Sequence, residues 1–130
     1  MKKRDGTPLD KDTIGKWGEH LAARWLRKHK RKVLYRNYRA PHGGEVDIVC
    51  RHGDTLNFVE VKTRTSTDFG RPGAAVTPEK EKLILRGARS WLKLLGDPDV
   101  KTRCDIVEVV LREGERADIQ IIEGALRIWD

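Results

Sequence analysis

Apolar positions recur along the chain with two spacings, and the changes of spacing mark the elements. Between Ile14 and Leu26 they fall at Ile14, Trp17, Gly18, Leu21, Ala22, Trp25 and Leu26, a 3.6-residue stripe. This predicts a first helix opened by Asp12-Thr13 and running to about His29. Gly18 would weaken such a helix, so its place in the stripe predicts close packing against a backbone. Val33 to Arg39 reads as a strand and Ala40-Pro41-His42-Gly43-Gly44 as a turn. The next two apolar runs, Glu45 to Cys50 and Leu56 to Lys62, flank Arg51-His52-Gly53-Asp54-Thr55 and predict a β-hairpin with a Gly-containing loop. Thr77-Pro78-Glu79 starts a second helix: a capping Thr, Pro at the first position, then an acid. Its stripe is Leu83, Ile84, Gly87, Ala88, Trp91, Leu92 and Leu95, and Gly96-Asp97-Pro98 stops it. Arg103 to Leu111 is a further strand, Arg112 to Arg116 a hairpin loop, and Ala117 to Ile122 the returning strand. Residues 1–10 are a loose basic arm, and Ile128-Trp129 an apolar tail laid on the sheet. The order is α-βββ-α-ββ, a single α/β domain with a mixed five-stranded sheet flanked by helices.

The hairpin carries the chemistry. With Arg51 opposite Leu56 and His52 to Thr55 as a four-residue loop, Ile48 faces Val59 and Asp47 faces Glu60. Side chains alternate across a strand, so Glu45, Asp47 and Val49 share one face, as do Phe58, Glu60 and Lys62 on the partner. One face is then apolar and fit for a core. The other gathers two or three carboxylates and an ammonium, and directly opposed like charges destabilise a sheet. A divalent metal is the simplest way to offset that repulsion. An alternating Val-Glu-Val-Lys alone is ordinary strand patterning with a solvated face.

Composition narrows the class. The charged fraction of 36% and net charge of +7 favour a polyanionic partner without separating nucleic acid from anionic lipid or from a merely soluble basic surface. Cys50 and Cys104 lie apart with no CxxC pairing and read as buried thiols in a reducing cytosol. No apolar run approaches the ~20 residues of a membrane span, and the basic N-terminus lacks a signal-peptide core. The expectation is a cytoplasmic protein with no membrane partner.

Gly-Glu-x-Asp on one strand and Glu-x-Lys on the next resemble the PD-(D/E)xK superfamily of restriction-endonuclease-like nucleases. The wording Gly44-Glu45-Val46-Asp47-Ile48-Val49 with Phe58-Val59-Glu60-Val61-Lys62-Thr63-Arg64 resembles the YraN-like family of small bacterial proteins, itself similar to the archaeal Holliday junction resolvases. Arg103-Cys104-Asp105-Ile106-Val107 is similar to that family's Arg-Phe-Asp-Val-Val, with Cys replacing the aromatic. The resemblance covers Ile14 to Ile122 and implies a restriction-endonuclease-like fold.

What it implies for function is specific. Asp47 and Glu60, with the main-chain carbonyl of Val61, would hold Mg²⁺ (or Mn²⁺), a hard ion that takes one or two carboxylates and keeps several waters. Lys62 would orient or deprotonate the attacking water, or stabilise developing charge. Resolvase-like nucleases place a Glu of the first helix beside the metal, and Glu19 occupies that place; spacing alone makes it an exposed helix residue. Glu45 is a weaker ligand candidate, its structural alternative being a salt bridge to Lys62 or Arg64. Lys80 matches a lysine of the family pattern and either points to the cleft or stays on the surface. Arg64, Arg71, Lys80, Lys30 and Arg31 are the candidate phosphate contacts. His42, in a loop, is more often neither ligand nor proton carrier. Two functions stand: a metal-dependent nuclease hydrolysing phosphodiester bonds of DNA, branched or structured DNA by the resemblance, and a non-catalytic nucleic-acid-binding module that retains the nuclease fold. A scaffold protein is a weaker third. Resolvase-like enzymes act as symmetric dimers, so a homodimer is implied by the resemblance alone.

Overall fold

Seven elements follow in the expected order: α1 (Lys11–Lys28), β1 (Arg31–Arg39), β2 (Glu45–His52), β3 (Thr55–Thr65), α2 (Pro78–Leu94), β4 (Lys101–Leu111) and β5 (Asp118–Leu126). They come from a computed structural model that describes residues 2–65 and 76–128. The expectations placed on Arg71 and Trp129 lie outside the described residues.

The sheet is five-stranded in the order β1-β2-β3-β4-β5. Neighbours joined by short turns pair antiparallel, and β3 and β4, joined through α2, pair parallel along their whole length. The hairpin has the expected register, with Ile48 opposite Val59 and Arg51 opposite Leu56. Its loop is tighter than expected, because His52 and Thr55 also pair and only Gly53-Asp54 turn, with Gly53 at φ 63°.

Both faces of the hairpin are core, where one was expected. Ile48, Cys50 and Val59 pack under Ala22, Ala23 and Leu26 of α1. Val49 and Phe58, on the carboxylate-bearing parity, pack under Ile84, Ala88 and Leu92 of α2. Each fully buried side chain of this kind contributes ~1.5–3 kcal/mol, so the two helices clamp the middle of the hairpin from both sides. The thiols of Cys50 and Cys104 are buried and free, and burial pushes both up to about 12.

Several boundaries differ for local reasons. Asp10, not Asp12-Thr13, caps α1: its backbone is extended and its carboxylate accepts from the Thr13 N–H at 2.7 Å. The cap of α2 is Thr77, as expected, accepting from the Lys80 N–H at 3.2 Å. Trp17 is half exposed and Leu95 lies past the end of α2, so neither belongs to its helix's buried stripe. The basic arm turns back on itself through a Lys2–Pro8 bridge, and the Lys2 N–H donates to Glu113. Ile128 is buried beside α2, its carbonyl accepting from Arg89 Nη2 at 2.8 Å.

Candidate carboxylate cleft

The β2–β3 ladder stops at Ile48–Val59, one residue short of the Asp47–Glu60 pair. Beyond it the Asp47 carboxylate takes over the ladder's role: Oδ2 accepts from the Val61 N–H at 2.8 Å. That fixes Asp47 against β3 and beside Glu60.

Two close approaches at glycines set the walls. A Cβ on Gly44 would lie 2.4 Å from Gly87 N, and one on Gly87 2.8 Å from Glu45 N, so α2 rests directly on the start of β2. A Cβ on Gly18 would lie 1.9 Å from Thr63 Oγ1. The partner of Gly18 is therefore a side chain, not the expected backbone. The contact draws α1 onto β3 just past Lys62, with Glu19 next in the chain.

Between these walls is a cleft of about 810 Å³. Asp47, Glu60, Val61, Lys62, Glu19, Arg64 and Lys80 all line it, together with Glu45. Residues from α1, β2, β3 and α2, separate in sequence, thus meet at one end of the sheet. Glu60 is only 5% exposed, and its Oε2 and the Oε1 of Glu19 are buried with no hydrogen-bond partner among the described residues. Burial raises the Glu60 carboxyl to about 9, reinforced by a hydrogen bond to Asp47 and by the charges of Asp47 and Glu45, with Lys80 opposing. Burial, then Asp47, likewise raises Glu19, against Arg36, Asn37 and Arg39.

Cations divide between them the task of offsetting this charge. Lys80 reaches back from the first turn of α2 to pair with Glu45, and its Nζ lies 3.6 Å from Glu60 Oε2. Burial disfavours the Lys80 charge, but Glu45, Glu60 and Asp47 outweigh it and the pKa rises. Arg39 Nη1 lies 3.3 Å from the other oxygen of Glu45. Glu45 thus pairs with Lys80 and Arg39, in place of Lys62 or Arg64. Arg64 is buried, its Nε donating to Glu108 Oε2 at 3.1 Å. Lys62 makes no ion pair with any described residue.

The donor set suits a hard divalent ion. Among the described residues no group of three or more His, Cys, Asp or Glu stands at ligand spacing. Mg²⁺ needs only one or two carboxylates, however, because it keeps most of its water. The unpartnered buried oxygen of Glu60 beside Asp47 fits that requirement.

Not every expected contact is gathered here. Lys30 lies exposed in the turn after α1, at φ 64°. Arg31 is turned into the fold, with Nη2 2.9 Å from Glu123 and its guanidinium 5.9 Å from the Trp25 ring. His42 is exposed and offers its carbonyl to Arg86 at 3.4 Å. Asn37 and Arg39 line the cleft without having been singled out. Asn37 adopts φ 56°, a left-handed conformation Asn tolerates.

The fold and cleft define a mixed α/β protein with a five-stranded open sheet and an oxygen-rich site where two of its strands part. The chain belongs to the family described as "Uncharacterised protein family UPF0102", whose model matches residues 18–109. That is the YraN-like family anticipated from the hairpin motifs. Relatives include a UPF0102 protein of Geobacter metallireducens, 40% identical over 92% of this chain and 97% of its own. Another, of Beutenbergia cavernae, is 43% identical over 88% of this chain and 96% of its own. A third, of Syntrophomonas wolfei, is 42% identical over 85% and 96%. No helix is long and apolar enough to cross a membrane among the described residues.

Proposed function

We propose that this chain is a metal-dependent, restriction-endonuclease-like phosphodiesterase acting on DNA, with Mg²⁺ or Mn²⁺ held by Asp47 and Glu60. The observation that carries the reading is the meeting of these two carboxylates in a cleft that also holds Lys62; among the described residues one buried Glu60 oxygen has no hydrogen-bond partner and Lys62 no ion pair. A bound divalent ion would acidify a water and offset charge on a phosphate oxygen. Asp47 is oriented by the Val61 N–H, which leaves its other oxygen for the site. The Val61 carbonyl and Glu19 would complete the oxygen shell. Lys62, which pairs with no carboxylate among the described residues, is suited to hold the attacking water or the developing negative charge. The net charge of +7 supports a polyanionic substrate, and the resemblance to resolvases supports branched or structured DNA.

The test is a divalent-metal-dependent cleavage assay over linear, flapped and four-way DNA with wild type, Asp47→Asn and Lys62→Ala. Cleavage by wild type alone, with DNA affinity retained in both variants, is the expected result. Cleavage that survives Lys62→Ala overturns the roles assigned here. Metal-independent binding without cleavage on any substrate would turn the reading to a nucleic-acid-binding module.

A further inference from the structure

Two of the lysines that line the cleft, Lys62 and Lys80, differ in their commitments. Lys62, on the strand, pairs with no described carboxylate, whereas Lys80, on the opposite wall, pairs with Glu45 and lies 3.6 Å from Glu60 Oε2. That second distance is too long for a hydrogen bond, so Glu60 receives charge from Lys80 while its buried oxygen keeps an open lone pair. An ammonium in this position does electrostatically what a divalent ion would do, without filling the oxygen's coordination.

We propose that the Lys80 ammonium is a built-in counter-ion of the metal-free cleft, competing with a divalent cation for the carboxylates and released from them when the cation binds. This rests on the metal reading above and adds a role to a residue outside the Glu-x-Lys pair. Like charges explain the competition. Even in bulk water two unit charges 4 Å apart repel enough to change affinity about fivefold, and a cleft wall screens less than water.

The structure also allows the release. The α2 backbone is held by the Thr77 cap and by the Gly44–Gly87 contact, so the helix has no need to move. Only the four-carbon stem of Lys80, with a side chain 35% exposed, has to swing. Freed, it would stand at the cleft mouth opposite Lys62, where an incoming phosphate needs positive charge.

Mn²⁺ calorimetry on wild type, Lys80→Met and Lys80→Arg tests the competition, and amine acylation of wild type read by mass spectrometry tests the release. Lys80→Met should bind Mn²⁺ about tenfold tighter, or about 1.4 kcal/mol, while Lys80→Arg stays near wild type. Without metal, Lys80→Met should melt lower than wild type, and saturating Mn²⁺ should raise its midpoint by more. Acylation of Lys80 in wild type should rise severalfold with Mn²⁺ relative to Lys62. Affinity within twofold of wild type in Lys80→Met, with unchanged Lys80 acylation, would make Lys80 a structural tie and overturn the proposal. Weaker binding in Lys80→Met would make it a support of the metal site, with the same consequence. Tighter binding without a change in acylation would overturn the release. If wild type and Lys80→Met both fail to bind Mn²⁺, the metal reading falls together with this one.

Discussion

Replacing Glu60 by Gln isolates the electrostatic cost of the cleft. Glu60 is 5% exposed and its carboxyl is raised from 4.5 to about 9, first by burial and then by Asp47. A carboxyl raised on folding contributes stability that is fully present below its unfolded pKa and is lost as pH rises towards the folded value. Between about pH 4.5 and pH 9 the folded state holds a proton the unfolded chain has released. Stability must then fall with pH, by at most about 1.4 kcal/mol per unit for one proton. Three units, from pH 5 to pH 8, set a ceiling of roughly 4 kcal/mol.

Gln keeps the shape, can still donate to Asp47 and does not titrate. Urea midpoints at pH 5, 6, 7 and 8 with EDTA present should therefore fall in wild type and stay flatter in Glu60→Gln, which becomes the more stable protein by pH 8. All other titrating groups are common to both, so the difference between the curves reports the cleft. A wild-type curve parallel to that of Glu60→Gln would refute the reasoning. In wild type, Mn²⁺ affinity should rise over the same range, because a bound ion replaces the proton.

Three further outcomes are expected. Gly18→Ala should destabilise by about 1–3 kcal/mol in chemical denaturation, the cost of overpacking; Thr63→Ala should rescue it only in part, because the Thr63 Cβ itself lies 2.8 Å from the added atom. Arg64→Met should cost about 3–5 kcal/mol in the same assay by leaving Glu108 buried without its partner, and an unchanged midpoint would argue that Arg64 serves a ligand instead. Affinity for duplex DNA should fall steeply with salt, and replacing Lys28, Lys30 and Lys32 by Gln should reduce the log–log slope by up to about three units; salt-independent binding would refute the electrostatic account.

What could be read from the chain depended on how far apart the deciding residues lie. The hairpin register was legible because Gly53 and the alternation of Ile48 and Val59 fix it within a dozen residues, and that register, continued by the Asp47–Val61 bond, brings Asp47 to Glu60. The cap of α2 was legible for the same reason, since Thr77 and Pro78 act within one turn. The cap of α1 was not: Asp10, Asp12 and Thr13 are all capping types, and only the extended backbone at Asp10 decides among them. Among the basic residues from the end of α1 onward, the sequence shows no difference between Arg31 and its neighbours. Glu123, 92 residues away, turns Arg31 inward and leaves Lys28, Lys30 and Lys32 at the surface. Lys80 is the sharpest case. Its place in the first turn of α2 was readable, but its meeting with Glu45 depends on two glycines, Gly44 and Gly87, letting a helix touch a strand. Each glycine is unremarkable by itself, and neither backbone approach is possible if the other carries a side chain. The charge balance of the cleft is therefore set by a contact between residues with no charge at all.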